Sequence, residues 1–224
     1  TSVAAGTAMY TFNTASALFA STTDTITNVE NVTLAGNGVN YVQMNDSANT
    51  VVGGSGKDTI IAGGGIDSID ANDDADTITL TETTSAADTV IFADGDGVAS
   101  TAATIAAGNA GAIAAGDDVT FGNGVDTVTG FAAATDFLDV SVAGEITTGI
   151  GMTENAMTAT KTVYFSGSFN SATNVFTIAA AGAGADTLIL DTTTDRDIIG
   201  TDSALVLIGV NSADLLAVDG TQII

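Results

Sequence analysis

Between Ala35 and Thr79 the chain repeats one order of small, polar and apolar positions every nine residues. The blocks read AGNGVNYVQ, MNDSANTVV, GGSGKDTII, AGGGIDSID and ANDDADTIT. Their eighth position is always branched and apolar, namely Val42, Val51, Ile60, Ile69 and Ile78. The sixth is always Asn or Asp, namely Asn40, Asn49, Asp58, Asp67 and Asp76. Such a block is too short for a helical hairpin and long enough for a tight turn followed by a very short strand. Side chains alternate along a strand, so the eighth position faces a core while its neighbours face out. Two blocks make one coil of about eighteen residues, and alternate blocks stack on the same side of a flattened spiral. That stacking sets Asp58 over Asp76 and Asn49 over Asp67. Burying each inward Val or Ile contributes about 1.5–3 kcal/mol.

Weaker patterns flank the repeat. Residues 24–34 (DTITNVENVTL) alternate well enough for one or two lead-in strands, so 1–34 reads as a lead-in to a roll over 35–92. Asp88-Thr89-Val90-Ile91 looks like another repeat strand displaced by a three-residue insertion. Residues 93–116 are rich in Ala and Gly and read as a connection. Asp117-Asp118-Val119-Thr120 then precedes FGNGVDTVT at 121–129, which puts Gly122, Gly124, Asp126 and Val128 in the repeat positions. A third occurrence, AGAGADTLI at 181–189, offers Gly182, Gly184, Asp186 and Leu188. Two apolar runs between Val163 and Ile178 flank a turn and predict a hairpin. The final stretch, 191–224, carries apolar strands such as 204–210. Residues 117–224 are therefore expected to form a second roll-like set with a β-rich cap.

Composition agrees with an all-β chain. Apolar residues make up 45% but aromatics only 5%, so the core must be built from Val, Ile, Leu and Ala. Against 27 acidic residues stand three basic ones, a formal net charge of −24. So few cations cannot neutralise a phosphate backbone or hold an anionic membrane, which argues against nucleic acid and lipid as partners. Cys and His are both absent, which excludes disulfides, the usual zinc sites, thiol nucleophiles and imidazole bases together. No apolar run reaches the roughly 18–20 residues that span a bilayer. The chain starts at Thr1 without a charged segment and apolar run, as expected of a mature product or a fragment.

An extracellular chain without disulfides needs another staple, and a hard cation held by oxygen would serve. Calcium takes six to eight oxygen ligands from carboxylates and backbone carbonyls. Glycines 54, 56, 63 and 65 are expected at positive φ, turning carbonyls inward beside the Asp that closes each turn. Asn72 and Asp74 stand where the next block would have both glycines. Capping of turns by Asx side chains, without metal, is the alternative. For Asn40 and Asn49 the two stand level. For Asp58, Asp67 and Asp76 stacked like charges repel unless neutralised, which favours a cation.

These residues resemble a known family. Gly53 to Ile61 (GGSGKDTII) matches the repeats-in-toxin nonapeptide G-G-x-G-x-D-x-U-x at every defined position. The resemblance implies a parallel β-roll with Ca2+ between stacked turns and passage through a type I secretion apparatus. Ions are expected beside Asp58/Asp76 and Asn49/Asp67 and not beside Asn40. The implied ligand set comprises Asn49, Gly54, Gly56, Asp58, Gly63, Gly65, Asp67, Asn72, Asp74 and Asp76. Asp117, Gly122, Gly124 and Asp126 extend it, as do Gly182, Gly184 and Asp186. The stretches FGNGVDTVTGFAAATDFLDVS and GADTLILDTTTD also look like the carboxyl-terminal regions of secreted surface-layer and adhesin proteins, which implies an export signal within 191–224.

Other motifs fail. Asp94-Gly95-Asp96-Gly97 opens like an EF-hand loop, but the twelfth position is Ile105 rather than Glu, so a surface turn is expected. Gly56-Lys57 lacks the remaining residues of a phosphate-binding loop. A two-carboxylate hydrolase is conceivable among so many acids, yet there is no Trp to grip a sugar. The expected function is thus a secreted, calcium-binding, non-enzymatic structural protein that self-associates at a bacterial surface. An adhesin terminus, or the export domain of a secreted enzyme, is the alternative.

Overall fold

The structure is a computed structural model that describes residues 10–13, 29–93, 96, 104–105, 113–122, 124–140, 145–148, 161–191, 203–215, 217–219 and 222–223. The strands of the repeat are β1 (Tyr10–Asn13), β2 (Asn31–Ala35), β3 (Tyr41–Gln43), β4 (Thr50–Val52), β5 (Thr59–Ile61), β6 (Ser68–Asp70), β7 (Thr77–Thr79) and β8 (Thr89–Phe92). Then come β9 (Thr104–Ile105), β10 (Asp118–Thr120), β11 (Asp126–Thr129), β12 (Phe137–Val140) and β13 (Glu145–Thr148). The tail holds β14 (Lys161–Asn170), β15 (Val175–Ile178), β16 (Asp186–Asp191), β17 (Ser203–Ile208), β18 (Ala217–Asp219) and β19 (Gln222–Ile223).

Alternate strands of the repeat go to opposite sheets. One sheet runs β1-β2-β4-β6-β8-β12-β19-β18, and the other begins β3-β5-β7-β11-β17 before turning to β16, β14, β15, β10 and β9. Every pairing among β1–β8 is parallel, and in β3–β5, β4–β6 and β5–β7 the partners are 18 residues apart, as an eighteen-residue coil requires. Val32, Val51, Ile69, Val90 and Leu138 stack on one side. Val42, Ile60, Ile78, Val128 and Leu207 stack on the other. Apart from the half-buried Val42, these side chains are buried, and from Val51 onward both columns belong to one core. The predicted parallel β-roll is therefore present, built from the eighth position of each block.

Where the pattern is interrupted, the roll absorbs the change. The nonapeptide at 121–129 opens no separate stack: β11 pairs directly with β7, and β12 with β8. The roll ends at β17, which is parallel to β11 on one side and antiparallel to β16 on the other. Because both its faces are covered, Leu205 and Leu207 join the roll core while Ala204 and Val206 join a second core with Phe121, Phe165 and Phe176. The predicted hairpin over 163–178 forms as β14 and β15, with Gly167 opposite Ile178. Most of the 93–116 connection lies outside the described residues.

A one-turn 3₁₀ helix, Ser212–Asp214, follows β17 and is capped by Asn211, whose side chain accepts from the Ala213 N–H. The same side chain donates to the carbonyls of Gly182 and Gly184 at 3.0 and 2.9 Å. Asn211→Ala removes both functions and should cost about 1 kcal/mol, read as a lower midpoint in urea unfolding.

Candidate metal centre

The residue that precedes or opens each strand of the roll carries the chemistry. Asn40, Asp58 and Asp76 precede β3, β5 and β7, Asp126 opens β11, and Asn49, Asp67, Asp88 and Asp136 precede β4, β6, β8 and β12. All eight are buried. Each aspartate accepts, through Oδ1, a hydrogen bond from the backbone N–H of the Asx one coil earlier. On the first side the donors are Asn40 to Asp58 at 2.9 Å, Asp58 to Asp76 at 2.6 Å and Asp76 to Asp126 at 2.7 Å. On the second side they are Asn49 to Asp67 at 2.7 Å, Asp67 to Asp88 at 2.9 Å and Asp88 to Asp136 at 3.2 Å. The stacking of Asp58 on Asp76 and of Asn49 on Asp67 is as the spacing predicts.

One carboxylate oxygen per step is thus used by the backbone, and the second decides what else the ladder needs. Asp58 Oδ2 accepts from the Gly54 N–H at 2.9 Å, and Asp136 Oδ2 from the Ala132 N–H at 2.7 Å. Asp67 Oδ2, Asp76 Oδ2 and Asp88 Oδ2 are buried and have no hydrogen-bond partner. A buried carboxylate oxygen without a partner is costly, and two remedies exist, a proton or a cation. Burial, opposed by the hydrogen bonds from Asn49 and reinforced by Glu82, pushes Asp67 up to about 6. Burial also raises Asp88 to about 7, with the negative charges of Glu82, Asp136 and Asp67 adding to it. Asp76 rises to about 8 for the same first reason, and Asp126, deeper still and beside Asp76, lies well above the carboxylate range.

Asparagine carries no charge and meets part of the demand with its amide, although Asn49 Oδ1 is also buried without a partner. The Asn40 amide donates to Gly38 O at 3.0 Å and to Asp58 Oδ1 at 2.7 Å, and the Asn49 amide donates to the carbonyls of Ser47 and Asn45. Asn72 does the same toward Gly53 O at 2.8 Å. An N–H from an Asn side chain therefore takes the turn carbonyls that a cation would otherwise draw on. Asn211 treats the carbonyls of Gly182 and Gly184 in the same way.

The glycine expectation needs correction at two positions. Gly63 and Gly65 do adopt positive φ, as do Asn72 and Asp74, whose short polar side chains tolerate that region. Gly54 and Gly56 do not. They are required by proximity, since a Cβ there would come within 2.6 Å of the backbone carbonyls of Gly36 and Asn37 in the adjacent coil. Asp74 is half exposed and sits 4.0 Å from Lys57.

The sequence groups Asp186 and Asp117 with the ladder residues, and the structure gives them other partners. Asp186 Oδ1 accepts from the Gly209 N–H and Oδ2 from the Phe169 N–H, at 2.8 and 2.7 Å, because β16 lies between antiparallel neighbours and has no preceding coil to stack on. Gly184 packs against Gly167 of β14 for the same reason. Asp117 accepts from the Ala114 N–H beside the antiparallel β10–β15 pair, and Gly122 is an exposed turn residue. Gly124, at positive φ, does belong to the roll and abuts Ala75.

Three participants were missed. Asp88 and Asp136 each precede a buried apolar residue by two positions, Val90 and Leu138, which is the repeat's own signature; it marks the strand at Asp88 in the sequence, but neither carboxylate is assigned to the site from it. Glu82 carries no such signal. One carboxylate oxygen from each of Asp67, Glu82 and Asp88 lies within 4.8 Å of the other two. Asp96, expected in a surface turn, is buried, and its Oδ2 accepts from the Ala93 N–H at 2.6 Å. The donors along both ladders are carboxylate, amide and carbonyl oxygens, a set that suits a hard divalent ion rather than zinc or copper.

The fold these pairings define is a parallel β-roll with an antiparallel cap. No family model matches the chain, and no curated protein matches it. Among solved structures it is similar to the AlgE6R3 subunit of the mannuronan C5-epimerase of Azotobacter vinelandii, at 18% identity over 75% of this chain and 70% of that one, with a TM-score of 0.38. The assignment of the fold rests on the strand register of this chain itself. Among the described residues no helix is long and apolar enough to cross a membrane.

Proposed function

We propose that the chain is a secreted calcium-binding structural protein of the bacterial cell surface, a subunit of a surface layer or extracellular filament. The observation that carries this is the row of buried carboxylates whose second oxygens have no partner at Asp67, Asp76 and Asp88. Where calcium is scarce, those charges and the freedom of the glycines oppose folding, and the chain stays extended enough for a type I export apparatus. Outside the cell millimolar calcium occupies the turns, and binding free energy becomes folding free energy. Cys and His are absent from the composition, and the aspartates of the roll are engaged in its ladders, which supports a non-catalytic role. Self-association at the ends of the roll completes the proposal.

Circular dichroism and electron microscopy across a calcium titration test it. Strand signal and ordered assemblies should both grow with calcium. A strand spectrum indifferent to a strong chelator would refute the calcium trigger, and monomers at every calcium concentration would leave an adhesin terminus as the better assignment.

A further inference from the structure

The loop between β7 and β8 breaks the repeat. Asn49 and Asp67 are 18 residues apart, but Asp67 and Asp88 are 21 apart, and the register of β6 with β8 is nevertheless kept, Ile69 beside Val90. Three extra residues have therefore been looped out without disturbing the stack. In this turn, LTETTSAAD over 80–88, no glycine is present to present inward carbonyls. Glu82 is there instead. Its Oε2 accepts from the Ala86 N–H at 2.6 Å, which closes the loop on itself, and its Oε1 is buried without a partner.

Asp67 and Asp88 share that condition. Each has Oδ1 tied to the backbone of the preceding coil and Oδ2 buried and unpartnered, and both side chains are 1% exposed. With Glu82 they bring three carboxylates within 4.8 Å, the separation of two oxygens facing each other across an ion with bonds of about 2.4 Å. The charges acting on Asp88 from nearby groups are all negative. A chain whose backbone anchors each of these groups by one oxygen has fixed three like charges around a common point.

We infer that Asp67, Glu82 and Asp88 form a dedicated site for a hard divalent cation of the calcium class, in which the insertion replaces glycine carbonyls by a third carboxylate. The inference rests on the calcium assignment above and adds a site outside the nonapeptide scheme. A site with three carboxylates carries more charge than a turn offering one or two with carbonyls, so it fills first as the cation concentration rises. Its occupation pins the 80–88 loop and with it the register between β6 and β8.

The test is calorimetric titration of the full chain with Ca2+ at neutral pH, repeated with Tb3+ luminescence, on the unaltered protein and on Glu82→Gln. Gln keeps the size and an acceptor for the Ala86 N–H but removes the charge. The tightest class of sites should weaken at least tenfold, while the remaining sites and the strand spectrum at saturating calcium stay unchanged. Superimposable isotherms would overturn the site and leave the calcium assignment standing. An unaltered protein that binds no calcium would overturn both. Hydrogen exchange at the Ala86 amide of the unaltered chain gives a second readout that needs no variant. Its protection should rise with the first equivalents of calcium, and protection rising only with the last ones would refute the site.

Discussion

Freed of divalent cations by dialysis, the protein should be more stable near pH 4.5 than at pH 8, the reverse of ordinary acid denaturation. Asp67, Asp88 and Asp76 titrate near 6, 7 and 8 in the fold, against 3.8 for an unperturbed carboxyl. Between those values the folded chain holds protons that the unfolded chain has released. Their contribution is thus fully present below about pH 4 and is lost as pH rises through 6 to 8. One pKa unit corresponds to about 1.4 kcal/mol, so the combined loss is on the order of several kcal/mol even after coupling among the sites. Calcium should invert the slope, because it binds the ionised carboxylates that the protons vacate. At a hundred times the dissociation constant each site adds about 2.7 kcal/mol. Circular dichroism and urea unfolding at pH 4.5, 6 and 8, with and without calcium, measure both slopes, and a cation-free chain without strand signal at pH 8 is the limit of the loss. A cation-free midpoint that rises with pH would show that the buried oxygens are satisfied in some other way.

Gly53→Val should prevent the roll from closing at its centre. A Cβ at Gly53 would lie 2.1 Å from the carbonyl oxygen of Ala71, a backbone atom of the next coil, and the Gly53 N–H is itself bonded to Asp70 O at 2.6 Å. Neither group can move without opening the sheet between β4 and β6. The cost should be on the order of 3 kcal/mol or more, at the upper end of overpacking effects. Gly64→Ala is the control, since its Cβ would meet only the Asp46 side chain and backbone at 3.4 Å and beyond. Thermal unfolding in saturating calcium should separate the two by many degrees. Equal losses at both positions would mean that glycine acts here through chain entropy and not through the approach of neighbouring coils.

The two results bear on different parts of the same design. Coils approach closely because glycine permits it at Gly53, Gly54 and Gly56, and the close approach is what buries the aspartates that end each turn. Packing thereby creates the electrostatic conflict that a cation or a proton must relieve. Asn40 and Asn49, at the start of the ladders, carry no charge and donate their amides to turn carbonyls, so the repulsion is smaller in the first coils than in those that follow, although Asn49 Oδ1 is itself buried without a partner.

What the sequence determined by itself was whatever depends on regular spacing. A nine-residue period fixes the coil, the inward pairs Val51 with Ile69 and Ile60 with Ile78, and the stacking of Asp58 on Asp76, because each is a relation between a residue and its equivalent one coil away. What only the tertiary structure decided are relations that no period encodes. Asp186 carries the repeat signature, yet antiparallel neighbours on both sides of β16 give both its oxygens backbone donors. Gly54 and Gly56 owe their place to the approach of another coil and not to their own backbone angles. Glu82 lies in an insertion where the pattern is silent, and only the folding of that loop back onto Asp67 and Asp88 brings the three carboxylates together. Repetition makes local order legible, whereas contacts across an insertion or a change of strand direction depend on how distant segments pack.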